Sequence, residues 1–308
     1  MIIFEVFLSK NYLMQHILTS THIVSELTLE ELFPKTLADS PCVYIDKDRE
    51  VWVATEMCAQ YLESAVDSIV VVNGNGIPIG IVGGYDLLDN LRKNSTRDFQ
   101  YNSKVEQIMF RDVPEVEKQT KLKDLIVKWQ DTRRAFAILS SESDSYSAIS
   151  ARKMLDVGMR CKTDLTASSM PKSKIVTFQP DDTLDKLVNM MFENKTRKLV
   201  LEGSNQFISD RLILAEVSRM LKFEKTVESL LNVPAKRLRL DYAKTITEDL
   251  PFYYLCLLMN KMEHPYILYK DAAISPWDVC LALKSADMKG PLTTRMQKKC
   301  PHCGKDIN

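Results

Sequence analysis

Two carboxylates and one pair of thiols are the side chains whose setting in this sequence suggests chemistry. Asp86 ends the run Gly80-Ile-Val-Gly83-Gly-Tyr-Asp86, and Asp278 ends the run Ala272-Ala-Ile-Ser275-Pro-Trp-Asp278. Each acid follows an apolar strand-like run and precedes an apolar stretch, so each belongs in the first turn of a helix. A carboxylate there accepts hydrogen bonds from unpaired helix amides and is favoured by the helix dipole. Ser275-Pro276-Trp277-Asp278 reads as a helix start, with Ser as N-cap, Pro at the first position and an acid in the first turn. Capping alone would account for both acids, and a ligand contact stays open beside it. The thiols are Cys300 and Cys303, in Cys300-Pro-His-Cys303-Gly. They offer two thiolates on one turn, whereas structural zinc takes four ligands. His302 lies between them and cannot reach the same ion, and the chain has no second Cys-x-x-Cys. A second copy of the tail or a partner would have to complete a zinc site; the alternative is an unmetallated tail.

The chain carries no GxGxxG, GxxxxGK[ST], HExxH or GxSxG, and its glycines number only 9. Glycine-rich phosphate loops and the common hydrolase signatures are therefore absent. With no paired nucleophile and base either, the expectation is a protein that is not an enzyme.

The elements that must position these acids are legible around Asp86. Ile69-Val-Val-Val72 is a β-branched run of strand length, and Asn73-Gly-Asn-Gly76 is a hairpin turn whose residues tolerate positive φ. Ile77, Ile79, Ile81 and Val82 make the return strand, and Gly83-Gly84 leads into a helix carrying Leu87, Leu88 and Leu91. No charge occurs from Ser68 to Tyr85. The glycines, asparagines and Pro78 nonetheless argue against a membrane span, because a lone hairpin cannot satisfy its backbone in lipid.

The same unit recurs. Ser147-Ala-Ile-Ser150-Ala-Arg-Lys153 and Gln206-Phe-Ile-Ser209-Asp-Arg-Leu212 repeat the strand, the hydroxyl and the helix start. The four last positions, 86, 153, 212 and 278, are 67, 59 and 66 residues apart. Upstream of each copy the apolar spacing predicts a helix (51–62, 121–129, 183–192 and 246–262) and then a strand (69–72, 135–139, 198–201 and 266–269). An extended lead precedes each helix (43–45, 113–116, 175–178 and 237–240). The predicted unit is β-α-β-β-α. One such unit of about 60 residues buries too little surface to stand alone, so pairing is expected. Residues 92–102 and 160–163 read as linkers.

The copies resemble cystathionine-β-synthase (CBS) domains, and four in tandem resemble two Bateman modules. The resemblance covers about Glu31 to Ser285 and is strongest in the first copy, GIVGGYDLL, and the fourth, AAISPWDV. It implies an α/β (α+β) fold of four repeats closing in pairs into two pseudo-symmetric modules. The chain then divides into an N-terminal extension (1–30), repeats at 31–95, 103–159, 164–223 and 231–286, and a tail at 287–308 with the Cys300/Cys303 knuckle.

The family commonly binds adenosine-containing ligands, AMP, ADP, ATP or S-adenosylmethionine, in clefts between paired repeats. There the hallmark acid takes the ribose hydroxyls and the hallmark Ser or Thr lies near phosphate. The resemblance therefore implies ribose contact at Asp86 and Asp278, and hallmark hydroxyls at Ser275, Ser150 and Ser209. Gly83 stands in the hydroxyl position of the first copy, Lys153 and Leu212 in the acid position of the second and third. Lysine can only donate and leucine does neither, so each module is expected to keep one competent cleft and one degraded cleft. Basic residues before the second strand of a unit often reach ligand phosphates in the family. Arg133 and Arg197, in Thr132-Arg133-Arg134 and Thr196-Arg197-Lys198, are the candidates, with His264 nearby in the fourth copy. The plain alternative is a solvated strand end.

Lys plus Arg equals Asp plus Glu at 41 each, so the chain offers no polyanion-binding field and nucleic acid is an unlikely partner by charge. The seven cysteines are scattered, and no basic start or small-residue cleavage site precedes them, so the expected compartment is the reducing cytosol. Met14 offers a second start, since the patterned sequence begins after it. The functional expectation is a regulatory homodimer that senses an adenosyl ligand and acts on a separate protein. The alternatives are a CBS scaffold without ligand, or weak nucleic-acid binding through the tail knuckle.

Overall fold

A computed structural model describes residues 21–34, 41–60, 67–140, 146–224, 229–290 and 292–293. Cys300 and Cys303 lie outside the described residues. Four β-α-β-β-α units follow one another. The first is β2 (Tyr44–Asp46), α2 (Val51–Gln60), β3 (Ser68–Val72), β4 (Pro78–Gly83) and α3 (Gly84–Lys93). The second is β5 (Glu115–Val116), α5 (Leu122–Thr132), β6 (Phe136–Ser140), β7 (Tyr146–Ser150) and α6 (Met154–Arg160). The third is β9 (Thr177–Phe178), α7 (Leu184–Glu193), β10 (Lys198–Leu201), β11 (Gln206–Ser209) and α8 (Asp210–Phe223). The fourth is β13 (Lys244–Ile246), α9 (Phe252–Asn260), β14 (Ile267–Tyr269), β15 (Ala272–Ile274) and α10 (Pro276–Ser285).

In every unit the lead strand runs parallel to the second strand, and the third closes antiparallel on it. The hairpin between β3 and β4 turns where Asn and Gly allow it. Gly76 has φ +76°, and the Asn73 side chain accepts from the Asn75 and Ile77 amides at 3.0 and 3.1 Å.

The units pair by exchanging edges. The segment entering the third unit, β8 (Ser173–Lys174), adds to β15 of the fourth, and the segment entering the fourth, β12 (Asp241–Tyr242), adds to β11 of the third. In the first pair the same exchange is made by single bridges, Pro41 to Ser147 and Ile81 to Phe110. Gly80 makes the second of these possible, because a Cβ there would lie 2.7 Å from the Phe110 carbonyl oxygen. Each pair is thus held by backbone hydrogen bonds as well as by apolar contact between sheets.

The two pairs then pack helix face on helix face. Helices α2 and α3 of the first unit lie on α8 of the third, and α6 of the second lies on α9 and α10 of the fourth. One core cluster accordingly joins Leu87, Leu88 and Leu91 with Leu187, Ile213 and Val217, all buried. The other joins Trp129, Leu155 and Met159 with Phe252, Leu255 and Val279. Ahead of the first unit lie β1 (Thr21–Ile23) and the short helix α1 (Leu29–Leu32), and Val24, Leu29, Leu32 and Phe33 join the second core. β1 pairs with β16 (Asp287–Lys289), which follows the fourth unit.

Two readings of the sequence are corrected. The lead strand of the fourth unit is Lys244–Ile246, not 237–240: Ala235–Arg237 is a turn of 3₁₀ helix, and α9 begins only after Pro251. Leu238 is buried in a core cluster, which uses the apolar residues that mimic a strand. The stretch 92–102 is not simply a linker, because Thr96 caps a helix, α4 (Arg97–Asn102). From α4, Arg97 donates to the Met220, Leu221 and Glu224 carbonyls at the open C-terminal end of α8, which bolts the two modules together. Among the described residues no helix is long and apolar enough to cross a membrane.

Candidate ligand grooves between paired repeats

Both hallmark acids sit in the first turn of a helix leaving the third strand of their unit, and both are buried, at 6% and 2% exposure for Asp86 and Asp278. They face the seam with the partner unit, not bulk water. Asp278 Oδ2 accepts from the Ser275 amide at 2.8 Å and from the Ser275 hydroxyl at 2.7 Å. Its Oδ1 accepts from the Ser173 hydroxyl at 2.8 Å, and Ser173 belongs to β8, which enters the third unit. Burial pushes the Asp278 carboxyl above the ordinary aspartate value, with Ser275, Ser173 and the charge of Lys198 pulling it back. Lys198 lies 5.1 Å from the centroid of the Tyr266 ring, its own pKa lowered by burial first and by Arg197 next.

Asp86 is held differently. Its Oδ2 accepts from the Gly83 amide at 3.0 Å, and its Oδ1 accepts from Nη2 of Arg134, a residue of the second unit. The Arg134 guanidinium is 3.9 Å from the Phe110 ring centroid and 5.2 Å from that of Tyr85, and its Nη1 donates to the Thr132 carbonyl at 3.0 Å. Burial raises the Asp86 carboxyl, and Arg134 and the Gly83 amide act against that.

In the third copy the hallmark serine serves local structure. Ser209 caps α8, accepting from the Leu212 amide at 3.2 Å, and Leu212 is buried where the acid would stand. In the second unit the helix starts a turn late: Lys153 is the N-cap of α6, its amide bonds the Ser150 carbonyl at 3.0 Å, and its ammonium lies 5.4 Å from the Phe33 ring centroid.

The basic candidates are dispersed. The equivalence of 132–134 with 196–198 shifts by two residues in the fold, because Phe136 faces Ser150 as Lys198 faces Ser209. Arg133 matches Lys195, the left-handed residue ending each helix, at φ 55° and 53°. Arg134 therefore matches Thr196. Arg133 itself is exposed. Arg197 is engaged by Asp210, with Nε and Nη2 at 2.7 and 2.6 Å from Oδ2, at the junction of the modules. Burial works to raise the Asp210 carboxyl, but Arg197 and Arg211 overcome it and hold it below the usual value. His264 is buried edge-on to Phe207, 3.7 Å from carboxylate oxygens of both Asp241 and Glu263, with its pKa lowered by burial.

Sequence reading named Arg134 only as part of the basic run 132–134, without its pairing to Asp86, and missed Ser173, Asp210, Arg152 and Arg211. One signal was available for the last two: the copies that lost the acid share Ser-x-Arg, at Ser150/Arg152 and Ser209/Arg211. Among the described residues no group of three metal-ligating side chains comes together.

The fold just described is that of a CBS-domain protein, with four repeats in two paired modules. Protein MJ1225 of Methanocaldococcus jannaschii, described as a candidate archaeal homolog of g-AMPK, superposes with TM-score 0.62 over 82% of this chain and 99% of its own, at 14% identity. The CBS-domain containing protein ATU1752 of Agrobacterium tumefaciens covers 45% of this chain and 96% of its own, at 15% identity and TM-score 0.36. CBSX2 in complex with AMP covers 37% and 83%, at 20% identity and TM-score 0.28. No family model and no curated protein matches the sequence.

Proposed function

We propose that this chain is a regulatory protein, not an enzyme, that senses an adenosine-containing ligand (AMP, ADP, ATP or S-adenosylmethionine) and acts on a separate protein. The observation that carries this reading is the Asp278 carboxylate, buried at the seam of repeats 3 and 4, whose hydrogen-bond donors among the described residues are two hydroxyls and one cap amide. A ribose diol offers two hydroxyls, which can replace Ser173 and Ser275 like for like. The amide end of α10 and the Lys198 ammonium favour an anion in the same seam. Ligand binding would favour one arrangement of the two modules to the extent that its affinity differs between arrangements.

A thermal-shift panel with these four ligands tests the reading. At 100 times its dissociation constant a ligand adds about 2.7 kcal/mol, a shift on the order of 5–10 °C. No shift with any of the four sinks it. The competing reading is a CBS scaffold without ligand, favoured by one observation: in the first module the hallmark acid already holds Arg134. A homodimer, the arrangement expected from sequence, would need a surface other than the helix faces that the two modules bury against each other.

A further inference from the structure

The groove between repeats 1 and 2 already contains something shaped like a ligand. Arg134 comes from one repeat and Asp86 from the other, 48 residues apart. The guanidinium is planar, cationic and stacked on Phe110, with Tyr85 also within cation–π range, and it meets the acid in charge-assisted contact. With Gly83 on the second oxygen, both oxygens of Asp86 are engaged. In the groove between repeats 3 and 4 the position of Arg134 is taken by Thr196, whose hydroxyl donates to the nearby Lys198 carbonyl at 3.1 Å and is too short to reach across.

We propose that Arg134 is a tethered internal ligand that closes the repeat 1–2 groove to a ribose diol, so that the chain takes one adenosine ligand, at Asp278. The second half of this statement rests on the function proposed above; the first half does not. Exchange at Asp278 swaps hydroxyl for hydroxyl. Exchange at Asp86 would break a buried ion pair and strand a guanidinium between aromatic rings, which lowers affinity on the order of 100-fold or more. The groove is selective for a planar cation with paired N–H donors, a chemistry no ribose supplies.

Two measurements decide it. Arg134→Ala should melt roughly 5–10 °C below the wild type and regain several degrees in millimolar methylguanidinium chloride, but not in methylammonium chloride at equal ionic strength. Equal response to the two cations, or to neither, overturns the internal-ligand assignment. Should Arg134→Ala fail to fold, the double variant Asp86→Leu/Arg134→Met replaces it. An internal pair predicts that the double variant melts closer to the wild type than Asp86→Leu alone, and the reverse order overturns it. Equilibrium dialysis of the full chain with AMP should give one site, weakened about 10–100-fold in Asp278→Asn and kept in the double variant. Two sites, or loss in the double variant, overturns the single-site assignment. Where AMP does not bind, the dialysis is repeated with ADP, ATP and S-adenosylmethionine; no binding by any of the four removes the proposed sensing function, while the guanidinium response still decides the role of Arg134.

Discussion

Arg152 and Arg211 stand at the same place in their repeats, two residues after the hallmark serine, and reach across the module boundary to the same region of the opposing repeat. Arg211 donates to the Cys58 carbonyl at 3.0 Å and to the Asp67 carbonyl at 2.7 Å, both in repeat 1. Arg152 donates to the Met262 and Glu263 carbonyls at 2.6 and 2.7 Å, both in repeat 4. The Cys58 carbonyl is in the last turn of the first helix of its repeat, where helix-end acceptors lack partners, and the Asp67, Met262 and Glu263 carbonyls follow the first helix of theirs. The four repeats therefore divide their labour. Repeats 1 and 4 keep the acid at the seam with their partner unit; repeats 2 and 3 have Lys153 and Leu212 in its place and carry, one residue earlier, an arginine that fastens the modules together.

This division predicts that Arg152→Ala and Arg211→Ala each cost about 1.5–3 kcal/mol in urea unfolding, the range for hydrogen bonds from a charged donor. Because the two clamps join different repeat pairs, their effects should add. Lysine should restore only part of the loss at either site, since its compact ammonium lacks the planar fork whose separate nitrogens each meet one carbonyl in fixed geometry. A neutral effect of either alanine variant would remove the clamp assignment.

Gly84 opens α3, and a Cβ on it would overlap the Asp210 carboxylate that carries Arg197. Helix propensity favours alanine over glycine by up to about 1 kcal/mol. Overpacking costs about 1–3 kcal/mol, here against an ion pair that cannot easily retreat. Gly84→Ala is therefore expected to destabilise by about 1–2 kcal/mol. A calorimetric gain in stability instead would mean that the contact between repeats 1 and 3 is looser than described.

The Asp278 carboxyl titrates above the ordinary aspartate value of 3.8 because it is buried. A raised pKa means that the folded chain holds this proton more readily than the unfolded one. The stability it contributes is full below the ordinary value and is lost as pH rises through the raised one. Ligand binding has the opposite sense, because only the ionised carboxylate accepts two hydroxyls. AMP affinity should fall on acidification with a midpoint above that of a free aspartate, and Asp278→Asn should bind about 10–100-fold more weakly with that pH dependence flattened. An unchanged pH profile in the variant would separate Asp278 from the ligand.

The helix faces that could pair two modules from separate chains are buried inside this one. Leu87, Leu91, Leu155 and Met159 are each at most 2% exposed. The expected solution state at micromolar concentration is a monomer. Light scattering on a size-exclusion column checks this, and a dimer mass would point to a surface outside those cores.

The repeated unit was legible because its signals are local. An apolar strand pair followed by a helix start is set over a few positions, and that arrangement recurs in all four copies. The fourth lead strand was misread because Leu238 and Leu240 satisfy an apolar pattern by plugging a core, which pattern alone cannot distinguish from strand pairing. The two-residue shift between Arg133 and Arg197 was hidden for a similar reason. Helix length fixes which residue turns left-handed at φ 55° or 53°, and that register is settled by packing.

The sequence by itself determined that two repeats carry an acid three residues after the hallmark position of Gly83 or Ser275 and that two do not, since this follows from residue identity at a fixed spacing. Only the tertiary structure decided what each acid meets. Asp86 receives an arginine because the edge exchange brings Phe110 and Arg134 into its seam, and Asp278 receives hydroxyls because Thr196 is too short to do the same. Those partners lie 48 and 105 residues away along the chain, beyond the reach of any local rule, and are selected by how the sheets close and by side-chain length.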